Sequence, residues 1–161
     1  MSKEKGYLYV ANKPKFIHEA LISVRSLKKH NNEQVCLVCT KDVFIEKLTT
    51  YFDIILFVEE ISDYSYFSKV IGLKHTPFEK TVFLDSDTFI TDKIIELFDV
   101  LEFVDIATTA EEKSHTTEPH DFKYRNVFPE FNSGVIVYRK KSVTNKLFTD
   151  WLLICQKYNI L

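Results

Sequence analysis

Hydrophobic positions along this chain switch repeatedly between short continuous runs and stripes at i, i+3 and i+4, so strand-like and helix-like periods alternate. Tyr7 to Ala11 is an aromatic and β-branched run that predicts a strand. Asn12 reads as a cap residue ahead of Pro14, which is tolerated in a first helical turn. Phe16, Ile17, Ala20, Leu21, Val24 and Leu27 then form one apolar stripe ending in Lys28-Lys29-His30, the charge expected at a helix C-terminus. Val35 to Cys39 predicts a second strand, Val43 to Tyr51 a second helix, and Ile54 to Val58 a third strand apolar enough to be covered on both faces. A helix over Tyr64 to Lys74 carries Phe67, Val70 and Ile71 and stops before Pro77; the buried strand Thr81 to Leu84 follows. Ile94 to Leu101 reads as a helix, Asp105 to Thr108 as a strand and Asn132 to Tyr138 as the last strand. Val143, Leu147, Phe148, Trp151, Leu152 and Cys155 mark the apolar face of a closing helix. The stretch at about 110–128 has no period and is expected to be a long loop, of a kind that usually binds or covers something.

Strands alternating with helices predict a three-layer α/β/α fold with a mainly parallel sheet, and ligands in such sheets bind beyond the carboxyl ends of the strands. The length of 161 residues is expected to form a single domain over 1–161. A formal net charge of −2, with only short basic runs, argues against a nucleic-acid footprint, which needs clustered Lys and Arg. No run approaches the roughly 18 apolar residues of a membrane span, and the N-terminus lacks the apolar core of a leader. Three cysteines fit a reducing compartment, so a cytoplasmic location is expected. Cys36 and Cys39 have CxxC spacing, but in a strand positions three apart face opposite ways, which argues against a metal or redox pair.

Glycine is scarce: the chain has only Gly6, Gly72 and Gly134. Neither a dinucleotide fingerprint nor a P-loop can be assembled from them, so phosphate handling would need another source of positive charge. Phe83-Leu84-Asp85-Ser86-Asp87-Thr88 supplies a candidate. Extended geometry would put Asp85 and Asp87 on one side at the end of a buried strand, where Mg²⁺ or Mn²⁺ held between them would neutralise a diphosphate and stabilise it as a leaving group. A turn or cap sequence is the plainer reading of the same tripeptide. Farther on, Phe131-Asn132-Ser133-Gly134-Val135 puts an amide, a hydroxyl and a glycine at the start of a strand. That composition suits close approach of a sugar, and also an ordinary turn.

Taken together, Lys69, Thr81 to Thr88 and Phe131 to Val135 resemble the nucleotide-sugar-binding elements of GT-A fold glycosyltransferases, particularly the glycogenin and bacterial galactosyltransferase-like family. The resemblance runs from Tyr7 to about Tyr158. It implies that Asp85 and Asp87 bind Mn²⁺ or Mg²⁺ and the nucleotide, that Asn132 contacts the donor sugar, and that Lys69 contacts diphosphate or sugar. It further implies that Ala11 and Asn12 touch the nucleoside, that Phe16 lies against the base, and that Ser86, Ser133 and Gly134 adjoin the donor. The implied donor is a nucleotide-diphosphate sugar, with UDP-sugars favoured, and the acceptor hydroxyl is unspecified. The family's later Asp-Gln pair and its C-terminal metal-binding His have no match after Leu147. His115 or His120, in the acidic stretch with Glu111, Glu112, Glu118 and Asp121, are the candidate substitutes for the missing ligand.

Two other functions compete with glycosyl transfer. One is a non-catalytic or incomplete nucleotide-sugar-binding module. The other is a haloacid-dehalogenase-type phosphatase in which Asp85 and Asp87 act as nucleophile and acid, with Thr108 as the phosphate-binding hydroxyl. Phe89 two positions after Asp87, and the lack of an acidic pair after Gly134, weigh against the phosphatase.

Overall fold

A computed structural model of the chain describes residues 3–59, 65–110 and 131–158. The expected loop at about 110–128, with His115 and His120, lies almost wholly outside them. The elements are β1 (Lys3–Ala11), α1 (Pro14–Leu27), β2 (Gln34–Cys39), β3 (Ile54–Phe57), α2 (Ser65–Lys74), β4 (Phe78–Leu84), β5 (Ile106–Ala110), β6 (Phe131–Arg139) and α3 (Ser142–Tyr158). They build a six-stranded sheet in the order β3-β2-β1-β4-β6-β5. β1 pairs in parallel with β2 and β4, and β2 with β3; β6 alone runs against its neighbours β4 and β5. The expected mainly parallel α/β sheet is therefore present.

Alternation along β1 assigns the two faces. Tyr7, Tyr9 and Ala11 point to the layer that holds Ile17, Ala20, Val24 and Leu27 of α1. Leu8 points to the opposite layer with Val70 and Leu73 of α2 and Phe148 of α3. The two cysteines of β2 obey the same rule: Cys36 lies in the second cluster and Cys39 in the first. Burial pushes the Cys36 thiol up to about 12 and that of Cys39 up to about 11, so both remain protonated packing residues.

Gly72 lets α2 rest on the sheet, since a Cβ there would stand 2.3 Å from Val10 Cγ2. No helix among the described residues is long and apolar enough to cross a membrane.

Two expected α-helices are instead tighter 3₁₀ segments. The stretch expected over Val43 to Tyr51 splits into Lys41–Val43 and Glu46–Thr50, with Phe44 and Ile45 extended between them. β-branched Val43, Ile45, Thr49 and Thr50 disfavour continuous α-helix, and neither segment has a side-chain cap. The segment expected from Ile94 is a 3₁₀ helix over Ile95–Glu102, whose buried Phe98 and Leu101 are three apart, matching three residues per turn.

Candidate functional site

The site forms where β1 and β4 end side by side. Val82, Phe83 and Leu84 are buried at 0–1% exposure, so the strand delivers Asp85 to a fixed point at the sheet's carboxyl edge. There the chain turns: Thr88 N–H donates to the Asp85 carbonyl at 3.2 Å, and Thr88 Oγ1 donates to the same oxygen at 2.8 Å. Asp85 and Asp87 thus reach one cleft through a turn, not through the extended alternation expected from their spacing. The cleft has a volume of about 240 Å³, and Asn12, Phe16, Lys69, Asp85, Ser86 and Asp87 are among its lining residues.

Lys69, from the middle of α2, supplies the positive charge. Its Nζ lies 2.7 Å from Asp85 Oδ1 and 2.9 Å from Oδ2, and it donates to Ser133 Oγ at 3.2 Å. The three ammonium protons thus have three acceptors. The same nitrogen is 5.5 Å from the centroid of the Phe83 ring, a cation–π distance. Burial nevertheless raises the Asp85 carboxyl above its ordinary value; Lys69 lowers it, and the neighbouring Asp87 adds to the rise. Asp87 is exposed. The pair therefore carries more negative charge than one lysine balances.

This donor set fits a hard divalent cation, which takes carboxylate oxygens together with substrate phosphates and retained waters. Among the described residues no third His, Cys, Asp or Glu joins the two aspartates in a metal-sized group.

The Asn132-Ser133-Gly134 segment arrives from the other side through a bulge. Register along β5–β6 jumps from Thr108↔Ile136 to Thr109↔Asn132, which leaves Ser133, Gly134 and Val135 as extra residues on β6. Bulges bend a strand and re-aim its side chains. Here the bend carries Gly134 to β4, where its carbonyl accepts from Asp85 N–H at 2.8 Å. A Cβ on Gly134 would stand 2.9 Å from Asn132 Oδ1 and 3.5 Å from Asp85 Oδ2. The glycine therefore answers to the close approach of Asn132, with Asp85 at ordinary van der Waals distance. Asn132 Oδ1 itself accepts from Gly134 N–H at 2.7 Å.

The nucleoside candidates divide. Asn12 does not cap α1; Lys13 holds that position without a side-chain bond, and Asn12 Nδ2 donates to Ser68 Oγ at 2.7 Å. Phe16 lines the cleft from the first turn of α1. Ala11 is buried as a whole residue at 1% exposure and is not among the residues lining the cleft. Ser86 donates to Glu19 Oε2 at 3.1 Å, which ties the turn to α1. Lys15, Glu19 and Ser68 also line the cleft and were not foreseen. The available signal was polar residues interrupting apolar helical stripes at cleft-facing turns.

Solved structures with the same architecture decide the fold. The glycosyltransferase GlyE of Streptococcus pneumoniae TIGR4 superposes with a TM-score of 0.69 at 14% identity, covering 100% of this chain and 41% of that one. The chain has a GT-A-like glycosyltransferase fold. The WbbM bifunctional glycosyltransferase matches at a TM-score of 0.63 and 14% identity, covering 96% of this chain and 35% of its own. TarS of S. aureus, residues 1–349, matches at 0.53 and 16%, covering 91% and 54%. The present chain thus spans between 35% and 54% of the length of these structures. No protein-family model and no curated protein matches the sequence.

Proposed function

We propose that this chain supplies the donor-binding part of a metal-dependent glycosyltransferase that moves a sugar from a nucleotide diphosphate, UDP being the favoured nucleotide, to an acceptor hydroxyl. The observation that carries the reading is the acidic turn at the end of β4, with Lys69 on Asp85 and Asp87 exposed in the same cleft as Asn12 and Phe16. Asp85 and Asp87 would hold Mn²⁺ or Mg²⁺, which when bound supplies Lewis-acid stabilisation of the diphosphate leaving group. Lys69 is positioned to share its protons between Asp85 and an incoming phosphate oxygen. Phe16 offers a flat apolar surface to a base, and Asn12 an amide to the nucleoside. Asn132 and Ser133, beside Asp85, present polar groups where the donor sugar would follow the diphosphate.

The phosphatase alternative finds no support in Thr108. Its hydroxyl bonds the backbone carbonyls of Asn132 and Val135 across the bulge, the latter at 2.9 Å, so it serves the strand pair.

The test is transfer or slow hydrolysis across a panel of nucleotide sugars with Mn²⁺, run beside calorimetric binding. Turnover that disappears in Asp87→Ala supports the transferase. Binding without turnover points to a binding module. Release of phosphate from simple monoesters without nucleotide-sugar binding overturns the proposal.

A further inference from the structure

We propose that Ser23 and Thr88 are positioning residues for the aspartate pair: a polar seam along α1 sets the shape of the Asp85–Asp87 turn and thereby its affinity for a metal-bound diphosphate. The inference rests on the donor-binding reading above. Its structural basis is a register match between a helix and the chain that follows β4. Glu19, Ser23 and Ser26 are spaced by four and three residues, so they share one face of α1. Opposite them lie Ser86, Thr88 and Ile90, alternate residues of the segment leaving the site. Ser86 Oγ donates to Glu19 Oε2 at 3.1 Å; Ser23 Oγ lies 2.7 Å from Thr88 Oγ1; Ile90 N–H donates to Ser26 Oγ at 2.9 Å. Successive polar positions of α1 thus meet every second residue of the turn and the segment that follows it.

The middle rung continues in both directions. Tyr9 Oη of β1 lies 2.8 Å from Ser23 Oγ, and Thr88 Oγ1 donates to the Asp85 carbonyl at 2.8 Å. Proton accounting fixes the direction. Thr88 has one hydroxyl proton and gives it to Asp85, so it accepts from Ser23; Ser23 has then used its own proton and accepts from Tyr9. Burial pushes the Tyr9 phenol up to about 12, so it stays a donor throughout the physiological range. The result is a one-way chain from Tyr9 through Ser23 and Thr88 to the carbonyl of Asp85, and such chains polarise cooperatively where water is excluded.

Ordinary satisfaction of buried hydroxyls would explain any one of these bonds. It does not explain three rungs in register, the middle one ending on the backbone of a site aspartate. The first turn of the same helix places Lys15 and Phe16 in the cleft. One rigid element therefore sets both a wall of the cleft and the turn that carries its charge, the support that a preorganised site requires.

The test uses Mn²⁺ and UDP as probes with the full chain. Thr88→Val keeps the shape and removes the hydroxyl. It is expected to raise the dissociation constant for UDP in Mn²⁺ by about tenfold or more, with metal-free UDP binding changed by less than about twofold and Thr88→Ser restoring the original value. A merely structural role would weaken both conditions alike and would leave the rescue incomplete. Either result, or unchanged affinity in Mn²⁺, overturns the proposal. If Thr88→Val does not fold, Tyr9→Phe carries the same test from the far end of the chain, with an expected loss of about threefold in Mn²⁺ only. If the wild-type chain binds no UDP with Mn²⁺, the donor reading fails, and the seam is read without ligand by amide hydrogen exchange. Exchange at positions 88 and 90 should then accelerate by about tenfold in Thr88→Val; unchanged exchange refutes the seam itself.

Discussion

Asp85-Ser86-Asp87 and Asn132-Ser133-Gly134 sit at adjoining ends of β4 and β6, yet they are held in different ways. The first continues a strand whose last residues are fully covered, and α1 grips it at Ser86 and Thr88. The second opens a strand at an exposed end, where Phe131 is 65% exposed, and it stands out from β5 in a bulge. Two links tie it to the acidic turn: the Gly134 carbonyl on Asp85 N–H and the Lys69 ammonium on Ser133. Under the donor-binding reading the difference follows ligand chemistry. A diphosphate presents the same charge in every nucleotide sugar and rewards a fixed turn. Sugars differ in hydroxyl arrangement and are met by a segment at an exposed, bulged strand end.

Lys69 joins the two tripeptides, so its removal should have the largest effect. Lys69→Met keeps an apolar stem over Phe83 but leaves Asp85 unpaired in a partly desolvated site, a cost of about 1–2 kcal/mol in urea unfolding. Affinity for UDP with Mn²⁺ should fall by at least tenfold, about 1.4 kcal/mol. Stability and affinity both equal to wild type would remove the lysine from the account.

Gly134→Ala strains the second tripeptide alone. The new Cβ forces the Asn132 amide off its bond to the residue 134 amide, which should cost about 1 kcal/mol and leave UDP affinity nearly unchanged. Asn132→Ala separates the roles further. Binding of a UDP-sugar should weaken several-fold while binding of UDP itself stays within about twofold. Equal losses for both ligands would mean that the two segments are one site with no division of labour.

The smallest effect belongs to the opposite ends of the same two strands. Lys80 and Arg139, register partners on β4 and β6, both contact Glu102 and hold its carboxyl below the ordinary value. A carboxylate lowered in the folded state stabilises above its unfolded pKa, and the contribution is lost as pH falls through the folded value. Glu102→Gln should therefore narrow the stability gap between neutral pH and pH below 4 slightly, with no change in ligand binding. Thermal melts across that range check it.

The sequence already carried the parallel α/β sheet, because period changes and continuous apolar runs depend on burial and little else. The position of Asp85 and Asp87 at a strand end was also legible, since the acids follow a strand whose coverage Thr81 to Leu84 advertises, whereas Lys69 was named only through the family resemblance. Three features were hidden for physical reasons. The 3₁₀ character of Glu46–Thr50 and Ile95–Glu102 follows from local crowding that apolar spacing does not record. The bulge that brings Gly134 to Asp85 depends on β6 pairing two strands at different registers, a long-range property. The seam of Glu19, Ser23 and Ser26 lay in the polar positions of α1, which an apolar stripe passes over. Asn12 shows the converse: its composition fits a cap, but the lattice of neighbours gives its amide to Ser68.

The most direct measurement is calorimetric titration of the wild-type chain with UDP, once in Mn²⁺ and once with the metal chelated. Asp85 and Asp87 face one cleft and repel each other unless a cation lies between them, so chelation should lower affinity by well over tenfold, more than about 1.4 kcal/mol. Equal affinity in the two conditions would contradict the role assigned to the aspartate pair.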